Sequence, residues 1–190
     1  MATMIKEQTA DDRGYVDLHE HIEELRSAGL LYEVDREINK DTEMHPLVRW
    51  QYRGGVEEED RKAWLFSNVT DAKGRKYDIP VLVCGLAANQ AVYKLGMRCE
   101  LDEIKETWIR ALNNPIDPNE VPFDEAPCHD LVFEGEDLLN GNGVDQIPVP
   151  ISSPGWDNAP YFAASHFITK DPTNGIQNMG NYRAMVKAPN

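Results

Sequence analysis

Residues 160–186 read PYFAASHFITKDPTNGIQNMGNYRAMV. Residues 161–169 and 177–186 read as two strands. Between them KDPTNG, residues 170–175, places Pro172 and Gly175 where a hairpin connection needs them. The spacing predicts a β-hairpin whose returning strand contains Gly180, a residue that lets backbone come close to a neighbouring group. His166 shares parity with Phe162, Ala164 and Ile168 on the outgoing strand. A packed histidine and a pocket-lining histidine both fit that position.

Working back from the hairpin, residues 147–161 (IPVPISSPGWDNAPY) are too rich in proline for regular structure. Prolines 115, 118, 122 and 127 forbid long helices in the segment before it, and residues 130–133 read as a short strand. Ahead of Asn113 the pattern is different. Asp17 and Glu20 form a capping box for a helix with Leu18, Ile22 and Leu25 at helical spacing, stopped at Gly29. Residues 30–38 read as one half-buried strand, with Leu30, Tyr32, Val34 and Ile38 on one parity. A second helix begins near Asp41 and runs to about Tyr52, with Pro46 in its first turn. Residues 54–62 are a charged loop, 63–69 a strand with Trp64 and Phe66 on one parity, and 71–76 a turn centred on Gly74. Residues 79–84 are a fully apolar strand, and 89–95 a short helix ended near Gly96. Leu101, Ile104, Trp108 and Ala111 mark an amphipathic helix. The fold class is α/β in the broad α+β sense. Residues 1–115 form an α/β lobe, and 116–190 open a β-rich domain.

The composition narrows the function. A formal net charge of −14 disfavours nucleic acid and anionic membrane surfaces, which need clustered Lys and Arg. The run Glu57–Asp60 reads as a solvated loop. No apolar run approaches the ~20 residues of a membrane-spanning helix. The opening MATMIKEQTADDRG lacks a basic segment followed by an apolar one, so no secretory signal is expected. Three cysteines, Cys84, Cys99 and Cys128, have no metal-ligand spacing and point to reduced thiols in the cytoplasm. Cys84 reads as a small buried hydrophobe.

The run from Pro160 to Val186 resembles the signature of the UbiD family: a strand ending in TKDP, a glycine turn, and a returning strand carrying N-x-G-x-Y-R. The segments IPVPISSPGWDNAPY and DLHEHIEELRSAGLLYEVDREI are similar to the family's approach to that hairpin and to its opening helix and strand. The resemblance implies the front of a flavin-binding split β-barrel. It also implies a carboxy-lyase that reversibly decarboxylates aromatic or α,β-unsaturated acids with prenylated FMN, a divalent metal, usually Mn2+, and K+. On this resemblance Asn178 is a ligand of the divalent metal, and Arg183 belongs to a Glu–Arg–Glu catalytic network. Met179, Gly180, Asn181, Tyr182 and Arg183 line the cofactor. The residue types suit those roles, since an Asn carbonyl is a hard-metal ligand and a guanidinium fork matches a carboxylate. Asn178 and Arg183 are therefore expected at one shared pocket.

The same resemblance places the family's other divalent ligands, a His and a Glu, and both catalytic glutamates after residue 190. The histidines here do not replace them: His19 and His21 read as solvated on the polar part of the first helix, His45 precedes Pro46, and His129 adjoins a strand. The expected parent is thus a cytoplasmic enzyme acting on an aromatic acid, with a phenolic acid suggested by SSPGWDNAPY and GNYR. This chain is expected to be a fragment or partial subunit, inactive alone, from a homo-oligomer or a complex with a chain that supplies the rest of the site. The alternative is a non-catalytic flavin-binding or partner-binding subunit that completes a shared site.

Overall fold

The computed structural model describes residues 15–116 and 120–189. The opening segment, read as free of a secretory signal, lies outside them, as does Pro118. In chain order the elements are α1 (Leu18–Ser27), β1 (Leu31–Val34), β2 (Ile38–Asn39), α2 (Met44–Arg53), β3 (Ala63–Phe66), β4 (Val69–Thr70), β5 (Lys76–Tyr77), β6 (Val81–Val83), α3 (Gln90–Met97), α4 (Ile104–Asn113), β7 (Tyr161–Lys170) and β8 (Gln177–Met185). Helices and small sheets alternate, and the class is α+β as the sequence predicts.

Two compact units interleave along the chain. Among the described residues one takes 15–33, 55–65 and 82–116; the other takes 34–54, 66–81 and 120–189. In the first, strands pair in the order β1-β3-β6. Leu25, Ala63, Ala88 and Val92 are buried together, with Leu30, Leu31, Leu82, Cys84 and Leu95 packed against them. Asp17 caps α1 by accepting from the backbone N–H groups of His19 and Glu20. The Glu20 carboxylate reaches the N–H of Val16 (2.9 Å), one residue before the position a capping box requires. At the other end Leu30 N–H bonds to the Leu25 carbonyl and Gly29 N–H to that of Arg26. These paired bonds close a helix only when the residue after the cap is left-handed, and Gly29 has φ +69°.

His21 departs from the sequence reading. It is 3% exposed, with Nε2 2.6 Å from the Gly85 carbonyl and its ring edge-on to Tyr15 at 4.9 Å. A helix with a broad apolar stripe counts His21 with its polar side, yet its neighbour Ile22 on the same turn is the less buried of the two. Tyr15 donates to the Glu24 carboxylate at 2.6 Å, and Arg98 lies over its ring and pairs with Glu24. Burial, then the hydrogen bond to Glu24, pushes the Tyr15 hydroxyl up to about 12.

The second unit holds a sheet in the order β2-β4-β5. Ile38 pairs with Val69 and Asn39 with Thr70 in parallel, and β4 turns back antiparallel onto β5. The two strands expected over 30–38 and 63–69 are thus each two strands. Their first halves lie in one sheet and their second halves in the other, so a single alternation cannot run through them. Tyr32, expected inward, is 41% exposed and packs on Trp64 at 4.9 Å. Lys40 is buried against Asp41 at 2.6 Å.

The turn at 71–76 is held by Asp71, which accepts from Lys73 N–H (2.8 Å), Arg75 N–H (2.9 Å) and the Tyr77 hydroxyl (3.1 Å). Burial works to raise the Asp71 carboxyl, but these bonds outweigh it and hold it below its ordinary value. A carboxylate depressed in the folded state adds stability above its unfolded value and loses it as pH falls through the folded one. Asp71→Ala is therefore expected to lower the melting temperature at pH 7 by about 5 °C, on a scale of ~2–4 °C per kcal/mol for a chain this size. The difference from the unmodified chain should shrink in thermal melts as pH falls below the ordinary carboxylate range. An undiminished difference there would show that the carboxylate charge is not what matters.

Three further expectations change. Residues 130–133 form no strand; 3-10 helices at Pro127–His129 (one turn) and Gly135–Asn140 (two turns) flank them. The helix α3 runs past Gly96 to Met97 and closes on Arg98 in the left-handed region. The apolar stripe of α4 stays largely uncovered among the described residues, with Ile104 half-buried but Trp108 54% and Leu112 74% exposed.

Candidate cofactor-binding hairpin

The hairpin grows from a loop that α2 fastens. Arg49 donates to the Ser152 carbonyl (2.9 Å) and to Ser153 Oγ (3.1 Å). Ser153 N–H in turn donates to the Asp157 carboxylate at 2.8 Å, closing the turn that carries Trp156. His45, one helical turn before Arg49, is held below its ordinary value by burial and by the Arg49 charge, against the pull of Asp157. Val149 is buried, which seats the irregular proline-rich segment without any ladder. The Tyr161 N–H reaches the Pro150 carbonyl at 3.4 Å, and β7 begins.

At the tip the expected turn is present. Asp171 Oδ1 accepts from Thr173 N–H (2.7 Å), and Asn174 Oδ1 from Ile176 N–H (2.8 Å). Gly175 N–H donates to the Asp171 carbonyl at 2.9 Å. The bond from Thr173 is the main reason that the Asp171 carboxyl sits below its ordinary value. Asp171 is a turn residue here, fully engaged with local backbone.

The antiparallel register pairs Thr169 with Asn178, Ile168 with Met179, Phe167 with Gly180, His166 with Asn181 and Ser165 with Tyr182. It then slips, and Phe162 pairs with Ala184. Two residues of β7, Ala163 and Ala164, therefore stand opposite one residue of β8, Arg183. That is a β-bulge, a device that sharpens twist and re-aims the side chain across from it. Arg183 is the one candidate residue placed at it.

Strand alternation sorts the candidates by face. Asn178, Gly180 and Tyr182 share one face with Thr169, Phe167 and Ser165. Met179, Asn181 and Arg183 share the other with Ile168 and His166. On the first face Tyr182 and Phe167 meet edge to face at 5.9 Å. A Cβ built on Gly180 would lie 2.2 Å from Cε2 of Tyr182, so the planar group that approaches Gly180 is this ring. The expectation that Asn178 and Arg183 open onto one pocket of this ribbon is not met. An odd separation of five residues puts them on opposite faces, about 17 Å apart along a strand, and both are exposed.

Among the described residues no three His, Cys, Asp or Glu side chains gather as a metal centre would, and no ion pair holds Arg183. Asn178 alone supplies one oxygen, where a divalent ion takes about six. The described residues do not by themselves fit the metal, and with Tyr182 over Gly180 they do not form a closed flavin site. A shallow depression of about 570 Å³, lined by Ala91, Lys94, Arg98 and Cys99 among others, belongs to the other unit and holds none of the six candidates. Sequence reading missed the bulge and the pairing of His166 with Asn181. The register that creates them depends on which residues pair, and the outgoing strand's two adjacent alanines are its only local signal.

Residues 119–190 match the family model described as the UbiD 3-octaprenyl-4-hydroxybenzoate carboxy-lyase Rift-related domain. The fold is similar to that of the UbiD-class enzyme HmfF from Pelotomaculum thermopropionicum, solved in complex with FMN. The TM-score is 0.71 at 25% identity, over 90% of this chain and 35% of that one. An evolved dimeric form of HmfF in complex with prFMN gives 0.72 at 25% identity, over 92% and 37%. Vanillic acid decarboxylase from Sedimentibacter hydroxybenzoicus, in open form, shares the fold at 0.74 and 22% identity, over 92% and 36%. The chain spans little more than a third of the length of these enzymes. The hairpin domain thus matches the UbiD-related family model, and nearly all of the chain shares its fold with UbiD-class enzymes.

Proposed function

We propose that this chain contributes the Arg183-bearing ribbon of a UbiD-type carboxy-lyase, acting reversibly on an aromatic carboxylic acid, a phenolic one included. The observation that carries the reading is the β7–β8 hairpin itself. Its N-x-G-x-Y-R run lies on a regular strand with Arg183 opposite the bulge, inside the segment that matches the family model. Solved relatives of the same fold were obtained with FMN and prFMN, which supports prenylated FMN as the cofactor; the resemblance of the hairpin to the family signature adds Mn2+, K+ and a cytoplasmic site of action to the proposal.

In this reading Asn178 and Arg183, on opposite faces of the strand by its alternation, have separate tasks. Asn178 offers a carbonyl oxygen to the metal that anchors the cofactor. Arg183 offers a fixed positive fork to the substrate carboxylate. The exposed apolar residues on both faces, Phe167 and Tyr182 on one, Ile168 and Met179 on the other, suit a ribbon that is covered on both sides. A two-stranded ribbon is marginal by itself, so the cover comes from the rest of a longer polypeptide, from a second copy, or from a chain that completes a shared site. The second reading is a subunit that binds flavin or a partner and completes a shared site without itself catalysing the reaction.

Substitutions in the full gene product separate the two tasks. Asn178→Ala should weaken retention of manganese and flavin by about 10-fold or more, the scale of removing a contact at a metal site. Arg183→Lys should leave retention intact. Flavin absorbance after gel filtration reads both, and equal loss of flavin from the two variants would contradict the assignment.

A further inference from the structure

We infer that His166 is a specificity-determining residue on the face that carries Arg183, where it recognises a second oxygen substituent on the ring of an aromatic acid. This rests on the reading of Arg183 as the carboxylate anchor. His166 is paired directly with Asn181, and Asn181 lies two residues before Arg183 on the same strand. All three therefore project from one face, with His166 the diagonal neighbour of Arg183 at about 7–8 Å. One aromatic ring bridges such a distance.

The surroundings support a flat ligand. On one side of Arg183 the bulge presents Ala163 and Ala164. By the alternation from Phe162 and from Ser165, both fall on the Arg183 face, and their methyl groups leave room beside the guanidinium. Beyond His166 the same face continues with Ile168 and Met179, each 65% exposed. The row is thus a cation, an amide, an imidazole and an apolar pair. Binding sites for small acids combine apolar surface with a few fixed polar groups in this way. His166 is itself exposed, so a core-packing role does not account for it. An imidazole can both accept from and donate to a phenol hydroxyl, whereas Arg183 can only donate and is committed to the carboxylate.

Equilibrium binding of benzoate and 4-hydroxybenzoate to the full gene product carrying prenylated FMN, measured by calorimetry, tests this without turnover. His166→Leu is expected to weaken 4-hydroxybenzoate about 10-fold, the effect of one hydrogen bond, and to leave benzoate unchanged. His166→Gln should keep most of the preference, and it tests the inference even if the leucine variant fails to fold. Arg183→Gln should weaken both acids alike. If Arg183→Gln does so while the His166 variants leave the ratio of the two affinities unaltered, the inference is wrong and the anchor reading stands. If Arg183→Gln changes neither affinity, or the unmodified protein binds neither acid, the anchor reading fails and takes the inference with it.

Discussion

Arg183→Lys in the full gene product is expected to lower decarboxylation at least ~100-fold while the flavin stays bound. Lysine keeps the charge but replaces a planar two-point fork with a single rotating ammonium. A carboxylate held at two points is oriented as well as attracted, and losing a ~3 kcal/mol contact made in the transition state costs about that factor. The geometry argues against a steric origin for the loss. Arg183 is exposed, and the two residues across from it are alanines, so lysine fits with space to spare. Single-turnover release of carbon dioxide, compared at equal flavin occupancy, gives the number. A fall of less than ~10-fold would mean that charge alone suffices at this position and that the fork is not used.

How far the sequence led depended on whether the signal was local. The Asp17 cap, the Gly29 stop and the Asp171–Gly175 turn were legible because each is a contract between residues within a few positions of one another. Pro46 fell in the first turn of α2 for the same reason. The split of residues 30–38 and 63–69 into strands of two different sheets was not legible, because it depends on pairing across ~30 residues. His21 was misread because its partner, the Gly85 carbonyl, lies 64 residues away. In the hairpin, the strands and the turn could be read directly. The face on which each candidate sits could not, since alternation alone separates Asn178 from Arg183 and the bulge at Ala163–Ala164 shifts the partner strand by one. The apolar stripe of α4 was read correctly as a stripe, but a stripe does not say what covers it.

The second large effect expected is the silence of the 190-residue chain by itself. Anchoring a phosphate through a divalent ion needs several ligands, and Asn178 is the one group of the expected set found here. Returning a proton to the product needs an acid placed at the reacting carbon, and Asp171, the acid closest in sequence to the candidates, is taken up by its own turn. Both faces of the ribbon expose apolar side chains, so prenylated FMN would meet an open surface, with Tyr182 lying over Gly180. Activity should appear when the missing groups are supplied, by the remainder of a longer gene product or by a complementing subunit.

The most direct measurement is therefore carbon dioxide release from a panel of hydroxybenzoates, after loading with prenylated FMN, manganese and potassium, by the 190-residue chain and by the full gene product in parallel. Release by the full product, its loss on Arg183→Lys, and none from the chain alone is the result expected. Turnover by the purified 190-residue chain without a partner would contradict the account, because groups on this chain, His166 first among them, would then be completing the site.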